Sequence, residues 1–272
     1  MKKSSLDAAY SISDGCLRTV FILSDSYKTT VIGAAPKGAN DPASASAAVR
    51  DMFTSIAPRY DLLNHVLSFN VDRLWWRKTA RSFASVLARE ARVLDLCCGT
   101  GDMTFALRRV AGKSPARILG VDFSHAMLQR ANTKSAGKSL RWVEADALHL
   151  PFPEERFDLI TAAFGFRNLA DYDAGLREMV RLLRPGGQCG ILDFGEPRGL
   201  IGKLYRVYFK RVLPVVGTVV SGVKGPYVYL PASVERFPSP EEMLERMRRA
   251  GFCEVSWTPY TFGIAGLYRG KK

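Results

Sequence analysis

The sequence predicts an α/β protein with a mostly parallel sheet whose last strand runs antiparallel. Three observations lead there. From Val49 onward, short β-branched runs alternate with helical patterns, as in successive βαβ units. The first run ends in a glycine-rich turn, Cys97-Cys98-Gly99-Thr100-Gly101, which opens a helix. Near the end, two strand-like runs follow each other with no helix between them, the mark of a hairpin.

Taken in order, Arg92 to Leu96 reads as the first strand of the sheet and Ile118 to Phe123 as the second. Leu140 to Ala145, Phe157 to Phe164 and Gln188 to Phe194 follow. Helices are expected at 102–111, 125–136 and 171–183, the last stopped by Pro185-Gly186-Gly187. Ser239-Pro240-Glu241-Glu242 is a capping box with proline at the first helical position, and Gly251 ends that helix. Glu254 to Thr258 and Phe262 to Tyr268 form the closing hairpin.

Residues 1–48 differ from the rest. They are rich in Ser, Ala, Thr and Gly, and Gly33 to Ala48 reads as a flexible linker, so the expected division is an extension of 1–48 and a domain of 49–272. No strong apolar core marks a signal peptide, and Asp7, Asp14 and Asp25 speak against a transit peptide. The best apolar run, Val212 to Val223, is twelve residues long and contains Pro214, Gly217 and Gly222, too short and broken to span a membrane. Five cysteines without a CxxC pair argue against a disulfide framework or a zinc site and fit a reducing cytoplasm. The 39 basic and 26 acidic residues give +13, which raises nucleic acid, an anionic membrane or an acidic ligand as partners.

The glycine turn narrows the chemistry. Gly99 and Gly101 let backbone pass close beneath a bound nucleotide, and Asp122, 21 residues after Gly101, is placed to accept from ribose hydroxyls. A dinucleotide such as NAD wants a third glycine at Thr104 and a phosphate at the helix N-terminus, where Asp102 would repel it. S-adenosylmethionine has no phosphate and carries a sulfonium cation, which suits nearby carboxylates. Asp146 and Ala147 can offer a carboxylate to the adenine amine and an N–H to its ring. A purely structural role, with Asp102 capping a helix and the glycines packing, is the bland alternative.

From Val49 to Gly270 the chain resembles the ubiquinone/menaquinone biosynthesis C-methyltransferases. The likeness rests on Met52-Phe-Thr-Ser-Ile-Ala-Pro-Arg-Tyr-Asp-Leu-Leu-Asn64, Leu74-Trp75-Trp76-Arg77, Val93 to Asp102, Leu150-Pro-Phe-Pro153, Phe164-Gly-Phe-Arg-Asn168 and Arg181-Leu-Leu-Arg-Pro-Gly-Gly187. The resemblance implies a Rossmann-like class I methyltransferase, with a seven-stranded sheet and helices on both faces. It further implies S-adenosylmethionine as co-substrate, no metal, and donor contacts from Thr100, Asp122, Asp146 and Ala147. Asp95, Gly99 and Gly101 complete the candidate donor site. Ala163 stands where the family often has serine, so a side-chain hydroxyl contact is lost there.

The implied reaction methylates a ring carbon of demethylmenaquinol to give menaquinol, with a polyprenyl methoxy-benzoquinol precursor of ubiquinone as the alternative acceptor. Other classes stay open behind it: an NAD-dependent oxidoreductase, or a non-enzymatic RNA- or membrane-binding module. A ring carbon becomes nucleophilic when its neighbouring phenol, with a pKa near 10, loses a proton. Arg167 is the candidate stabiliser of that phenolate and Asn168 can orient a hydroxyl. Tyr60, Asp61 and Asn64 are expected to form a lid, or else to cap and pack a helix. His65, His125 and His149 show no metal-ligand spacing, and His65 is the one worth testing as a base.

In 198–234, Lys203, Arg206, Lys210 and Arg211 alternate with Leu204, Tyr205, Val207, Tyr208 and Phe209. That pattern suits peripheral contact with an anionic bilayer, on the inner face of the cytoplasmic membrane, better than nucleic acid. Core packing is the competing reading. A homodimer stays open.

Overall fold

A computed structural model describes residues 10–13, 16–19, 33–34, 36, 39, 41–136, 140–197 and 226–272, with scattered positions between 198 and 225. The chain divides into two units, Met1–Thr30 and Val31–Lys272. In the first, β1 (Tyr10–Ser13) and β2 (Cys16–Thr19) pair antiparallel, with Tyr10 opposite Thr19. The rest of residues 1–40, expected to be flexible, lies mostly outside the described residues.

The second unit begins with a departure from expectation. Helix α1 (Pro42–Ile56) crosses the boundary drawn between Ala48 and Val49. Its start is a capping box: Ser44 N–H donates to Asp41 Oδ1 at 2.9 Å while Asp41 N–H donates to Ser44 Oγ at 3.2 Å. Alanine, read as linker composition, is also the best helix former, and Ala45 and Val49 turn inward to near-complete burial. A short turn at Ala57–Arg59 leads into α2 (Tyr60–Leu67), then α3 (Val71–Arg81) and α4 (Ala84–Leu87).

The alternation expected after this point is present. Strands β3 (Arg92–Leu96), β4 (Arg117–Asp122), β5 (Arg141–Glu144), β6 (Phe157–Ala163) and β7 (Leu183–Phe194) are separated by α5 (Asp102–Ala111), α6 (His125–Lys134) and α7 (Tyr172–Leu182). Then come α8 (Pro226–Arg236), α9 (Pro240–Ala250), β8 (Cys253–Tyr260) and β9 (Ala265–Lys271). The seven-stranded sheet has the order β5-β4-β3-β6-β7-β9-β8, and β9 pairs antiparallel with both neighbours. One detail differs from the sequence reading. Pro185-Gly186-Gly187 lies within β7, where the pairing with β6 shifts register, and α7 already ends at Leu182.

Both faces of the sheet are buried, so successive residues along a strand enter opposite cores. Leu94, Ile160, Ile191 and Tyr268 face a core completed by α7 and α9, through Leu176, Met179, Met243 and Met247. Val93, Leu159, Leu192 and Leu267 face the other, completed by Trp75, Phe83, Met103 and Leu107. Each such side chain contributes about 1.5–3 kcal/mol by leaving water. Of the C-terminal capping box, the Ser239 half is formed, Ser239 Oγ accepting from Glu242 N–H at 3.2 Å, while the Glu242 carboxylate accepts from Arg246 instead; Gly251 ends α9 at φ +108°. Among the described residues no helix is long and apolar enough to cross a membrane.

Candidate active site

The strand order reverses between β3 and β6, and the loops leaving those two neighbours border a crevice. Each loop begins on a non-glycine residue in the left-handed region, Cys97 at φ +50° and Phe164 at φ +58°, and Gly99 and Gly101 follow at +55° and +90°. Such conformations cost about 1–3 kcal/mol for a side-chain-bearing residue, and they concentrate at functional crevices. Trp142 of β5 wedges beneath the turn: a Cβ on Gly101 or on Gly120 would stand 2.6 or 2.5 Å from its ring.

A cavity of about 690 Å³ lies over the ends of β3, β4 and β5, and Gly99, Asp122, Asp146, Ala147 and Ala163 are on its wall. Asp122 Oδ2 accepts from Gly99 N–H at 2.8 Å and Oδ1 from Ser124 N–H at 2.9 Å. Burial pushes its carboxyl up to about 6 despite these hydrogen bonds. With the Phe123 N–H also bonded, the carboxylate keeps one lone pair for a ligand hydroxyl. Asp146 Oδ1 accepts from Leu148 N–H at 2.9 Å. Helix α1 contributes Ser46 and Phe53 to the same wall.

Asp95, Thr100 and Gly101 sit elsewhere. Asp95 and Thr100 border a smaller adjoining cavity of about 380 Å³, and Gly101 lies behind the turn against Trp142. The Asp95 carboxylate is fully buried and accepts from Thr104 Oγ1 at 2.5 Å and Thr161 Oγ1 at 2.7 Å, tying β3 to α5 and β6. Its burial pushes the carboxyl up to about 7.

Asp61 belongs to a polar latch. Lys134 Nζ, at the end of α6, donates to Asp61 Oδ2 at 3.0 Å, Thr100 Oγ1 at 3.1 Å and Asp102 Oδ1 at 2.8 Å. Thr100 also donates its hydroxyl to Asp61. The latch fastens α2 to the glycine turn, and Lys134 is a residue the sequence reading missed. A basic residue in a last helical turn is too common to signal such a role.

A second cavity, of about 1400 Å³, adjoins the first and shares Phe53, Tyr60, Phe164 and Asn168 with it. Its remaining wall is largely aromatic, with Trp75, Trp76, Phe194, Tyr205, Tyr208 and Tyr229. Arg167 and Asn64 also face it, so the structure brings four of the five expected acceptor-side residues, Tyr60, Asn64, Arg167 and Asn168, onto one cavity. Tyr60 hydrogen-bonds Asn64, and its burial raises the phenol's pKa. Asn168 Oδ1 accepts from Tyr229 at 3.2 Å, which leaves its NH₂ for a ligand oxygen. Arg167 is 6% exposed and donates through Nη1 to Asp193 Oδ1 at 2.8 Å and to the carbonyl of Phe164. Its Nε is buried without a partner. Asp193 was also missed, although an acid ending a strand beside the crevice is a readable signal.

His125 pairs with Glu144 at the surface, His149 is largely exposed, and His65 pairs with Asp72. Among the described residues no three His, Cys, Asp or Glu side chains gather where a metal could bind. Cys97, Cys98 and Cys189 are free thiols. Of the 198–234 residues expected at a membrane, Lys203, Leu204, Arg206, Phe209 and Lys210 lie outside the described residues. Tyr205 and Tyr208 turn to the second cavity, and Tyr208 donates to the Leu67 carbonyl at 2.9 Å.

This sheet order, with a glycine turn at the reversal and an acid ending the next strand, is that of a class I S-adenosylmethionine-dependent methyltransferase. A SAM-dependent methyltransferase of Thermotoga maritima superposes with a TM-score of 0.58 at 20% identity, over 82% of this chain and 99% of that one, which supports the fold. The sequence model of the ubiE/COQ5 methyltransferase family matches residues 42–272. The chain is 50% identical over 229 residues to the demethylmenaquinone methyltransferase of Deinococcus radiodurans, spanning 83% of this chain and 92% of the relative. It is 44% identical over 229 residues to the ubiquinone/menaquinone biosynthesis C-methyltransferase of Geobacter sulfurreducens, spanning 82% and 88%. The chain belongs to the ubiE/COQ5 methyltransferase family.

Proposed function

We propose that the chain transfers a methyl group from S-adenosylmethionine to a ring carbon of demethylmenaquinol, giving menaquinol. One observation carries this: an acid-edged cavity and a larger aromatic one share the wall of Phe53, Tyr60, Phe164 and Asn168, so two ligands would meet across it. The donor supplies an electrophilic methyl on a sulfonium. Asp122 would accept from its ribose hydroxyls, Asp146 from its adenine amine, and Ala147 would donate its N–H to the ring. Gly99 lets the backbone pass beneath. Asp95, Thr100 and Gly101 would act by holding the turn in shape.

On the acceptor side, Arg167 would stabilise the phenolate and Asn168 would orient a ring hydroxyl. Tyr60 and Asn64 would close over both ligands, with Asp61 fastening that lid through Lys134. The volume and aromatic lining suit a fused ring with a prenyl chain. The name of the Deinococcus relative favours the naphthoquinol, while that of the Geobacter relative keeps a ubiquinone precursor as the second reading. The test incubates purified protein and S-adenosylmethionine with chemically reduced demethylmenaquinone, and in parallel with a reduced prenyl methoxybenzoquinone. Mass spectrometry should find methylated product in the naphthoquinol arm. Absence of product in both arms would falsify the proposal.

Peripheral contact with the cytoplasmic face of an anionic membrane belongs to the same proposal. Arg73, Leu74, Arg77, Lys78 and Arg81 form the exposed face of α3, and Phe69 at the cavity mouth is 76% exposed. Cationic and apolar groups together favour such a surface. Co-sedimentation with phosphatidylglycerol vesicles but not phosphatidylcholine ones is expected; equal binding to both removes the anionic requirement. The division of the chain at 48/49 is proposed in amended form, since α1 and the family match support a catalytic domain from about Pro42.

A further inference from the structure

We propose that Asp72 is the general base that takes the acceptor's phenolic proton, held in place by His65. This rests on the quinol-methylation reading. Among the described residues lining the aromatic cavity, Asp72 supplies the one carboxylate. The other ionisable groups there are Arg167 and the phenols of Tyr60, Tyr205, Tyr208 and Tyr229. An arginine stays protonated and a buried phenol is held above its ordinary pKa, so neither takes up a proton near neutrality.

The geometry is that of a prepared base. Asp72 is near-fully buried at the start of α3, with its side chain 5% exposed. Oδ2 lies 2.9 Å from His65 Nδ1, and Oδ1 accepts from Arg73 N–H at 2.8 Å. With Nδ1–H donating, the imidazole fixes the carboxylate's orientation and shares its charge, leaving one lone pair on each oxygen. His65 does not border the cavity. It packs edge-on against Trp76, ring centres 6.0 Å apart, and keeps 20% exposure, so it acts through Asp72 as a positioning residue.

The step balances without a further reagent. Asp72 removes the proton from the hydroxyl next to the ring carbon. That carbon forms its bond to the methyl as the methyl–sulfur bond breaks and the electron pair stays on sulfur. The ring carbon then loses its hydrogen to water as a proton, and Asp72 returns its own proton to the ring oxygen. One proton leaves per turnover, and Asp72 ends as it began.

The experiment measures turnover of reduced demethylmenaquinone carrying a short prenyl chain, from pH 6 to 10, for the wild-type chain, Asp72→Asn and His65→Asn. Donor affinity is followed by calorimetry. Asp72→Asn should lower kcat about 100-fold or more at pH 7, with donor affinity kept and the rate climbing with pH toward the quinol's own ionisation. A ring-halogenated quinol, whose hydroxyl is more acidic, should restore much of that loss. His65→Asn should lose about tenfold and recover in the same two ways, the expected share of a partner acting through the base. A loss independent of pH and unrescued by the acidified acceptor would show that the pair only braces α2 against α3, and undiminished turnover overturns the proposal outright. A wild-type chain that methylates neither acceptor sinks the quinol reading instead.

Discussion

A Cβ built on Gly165 would stand 2.3 Å from the Cβ of Cys97. The loops after β3 and β6 therefore touch at a point where only glycine fits, and the crevice takes its shape from that contact. Gly165→Ala should spread the loops, costing about 1–3 kcal/mol as overpacking does and weakening donor binding. Adding Cys97→Gly removes the opposing Cβ and also suits the backbone at φ +50°. Thermal denaturation of the single and double variants checks this. A double variant no more stable than Gly165→Ala would contradict it.

Lys134 joins α6 to α2 through Asp61 and to the turn through Thr100 and Asp102. Lys134→Gln leaves two carboxylates facing each other, so the acceptor's KM should rise about tenfold as the lid loosens. In a double-mutant cycle of stability, Lys134 and Asp61 should couple by about 1 kcal/mol. Additive effects would mean that the latch is incidental.

Donor binding should depend on pH through Asp122. Its carboxyl rises from 3.8 to about 6 in the folded chain, so it contributes stability below about 4 that is lost as pH climbs through about 6. Asp95 behaves alike up to about 7, and both make the ligand-free protein more stable in mild acid. The donor needs the ionised Asp122 to accept its hydroxyls. Affinity should therefore fall by up to about tenfold per pH unit below about 6, and Asp122→Ala should be weak and insensitive there. Titration calorimetry at pH 5 and 7.5 decides, and equal affinities at the two would rule this role out.

Arg167 and Asp193 form a pair with 6% and 0% side-chain exposure. Removing one partner strands the other, at a cost of about 3–5 kcal/mol. Arg167→Ala and Asp193→Ala should each lower the midpoint of urea unfolding, and the double variant should recover part of that stability without recovering turnover. If turnover returns with stability, Arg167 serves the fold alone.

The strand alternation, the glycine turn, the Ser239 cap of α9 and the antiparallel hairpin were legible because each is written in a local pattern of a few residues. Tyr60, Asn64, Arg167 and Asn168 stand in two short motifs, and the fold brings all four onto one cavity. Helix α1 was misread because alanine and serine serve linkers and helices equally, and only the Asp41–Ser44 capping box distinguishes them. Lys134, Asp72 and Trp142 could not be read. Lys134 finds its partners 32 to 73 residues away, Asp72 finds His65 seven away, and Trp142 fills the space left by Gly120 and Gly101, 22 and 41 residues back; no local pattern records which side chains folding brings together. Gly101 and Asp95, expected at the donor site, carry surroundings that no local pattern announces: one makes room for an indole and the other binds two threonine hydroxyls.

Strand β9 follows β8 in the chain yet stands between β8 and β7. Until it is in place, β7 offers an unpaired edge and β8 has no neighbour to join. A nascent chain that has already built its donor crevice must therefore wait with an open, apolar sheet edge for its final hairpin. Such an edge is prone to pairing with other chains and to capture by chaperones. Substitutions that slow closure of β8 onto β9 should then lower the yield of folded protein before they touch catalysis, a difference that refolding yield and specific activity report separately.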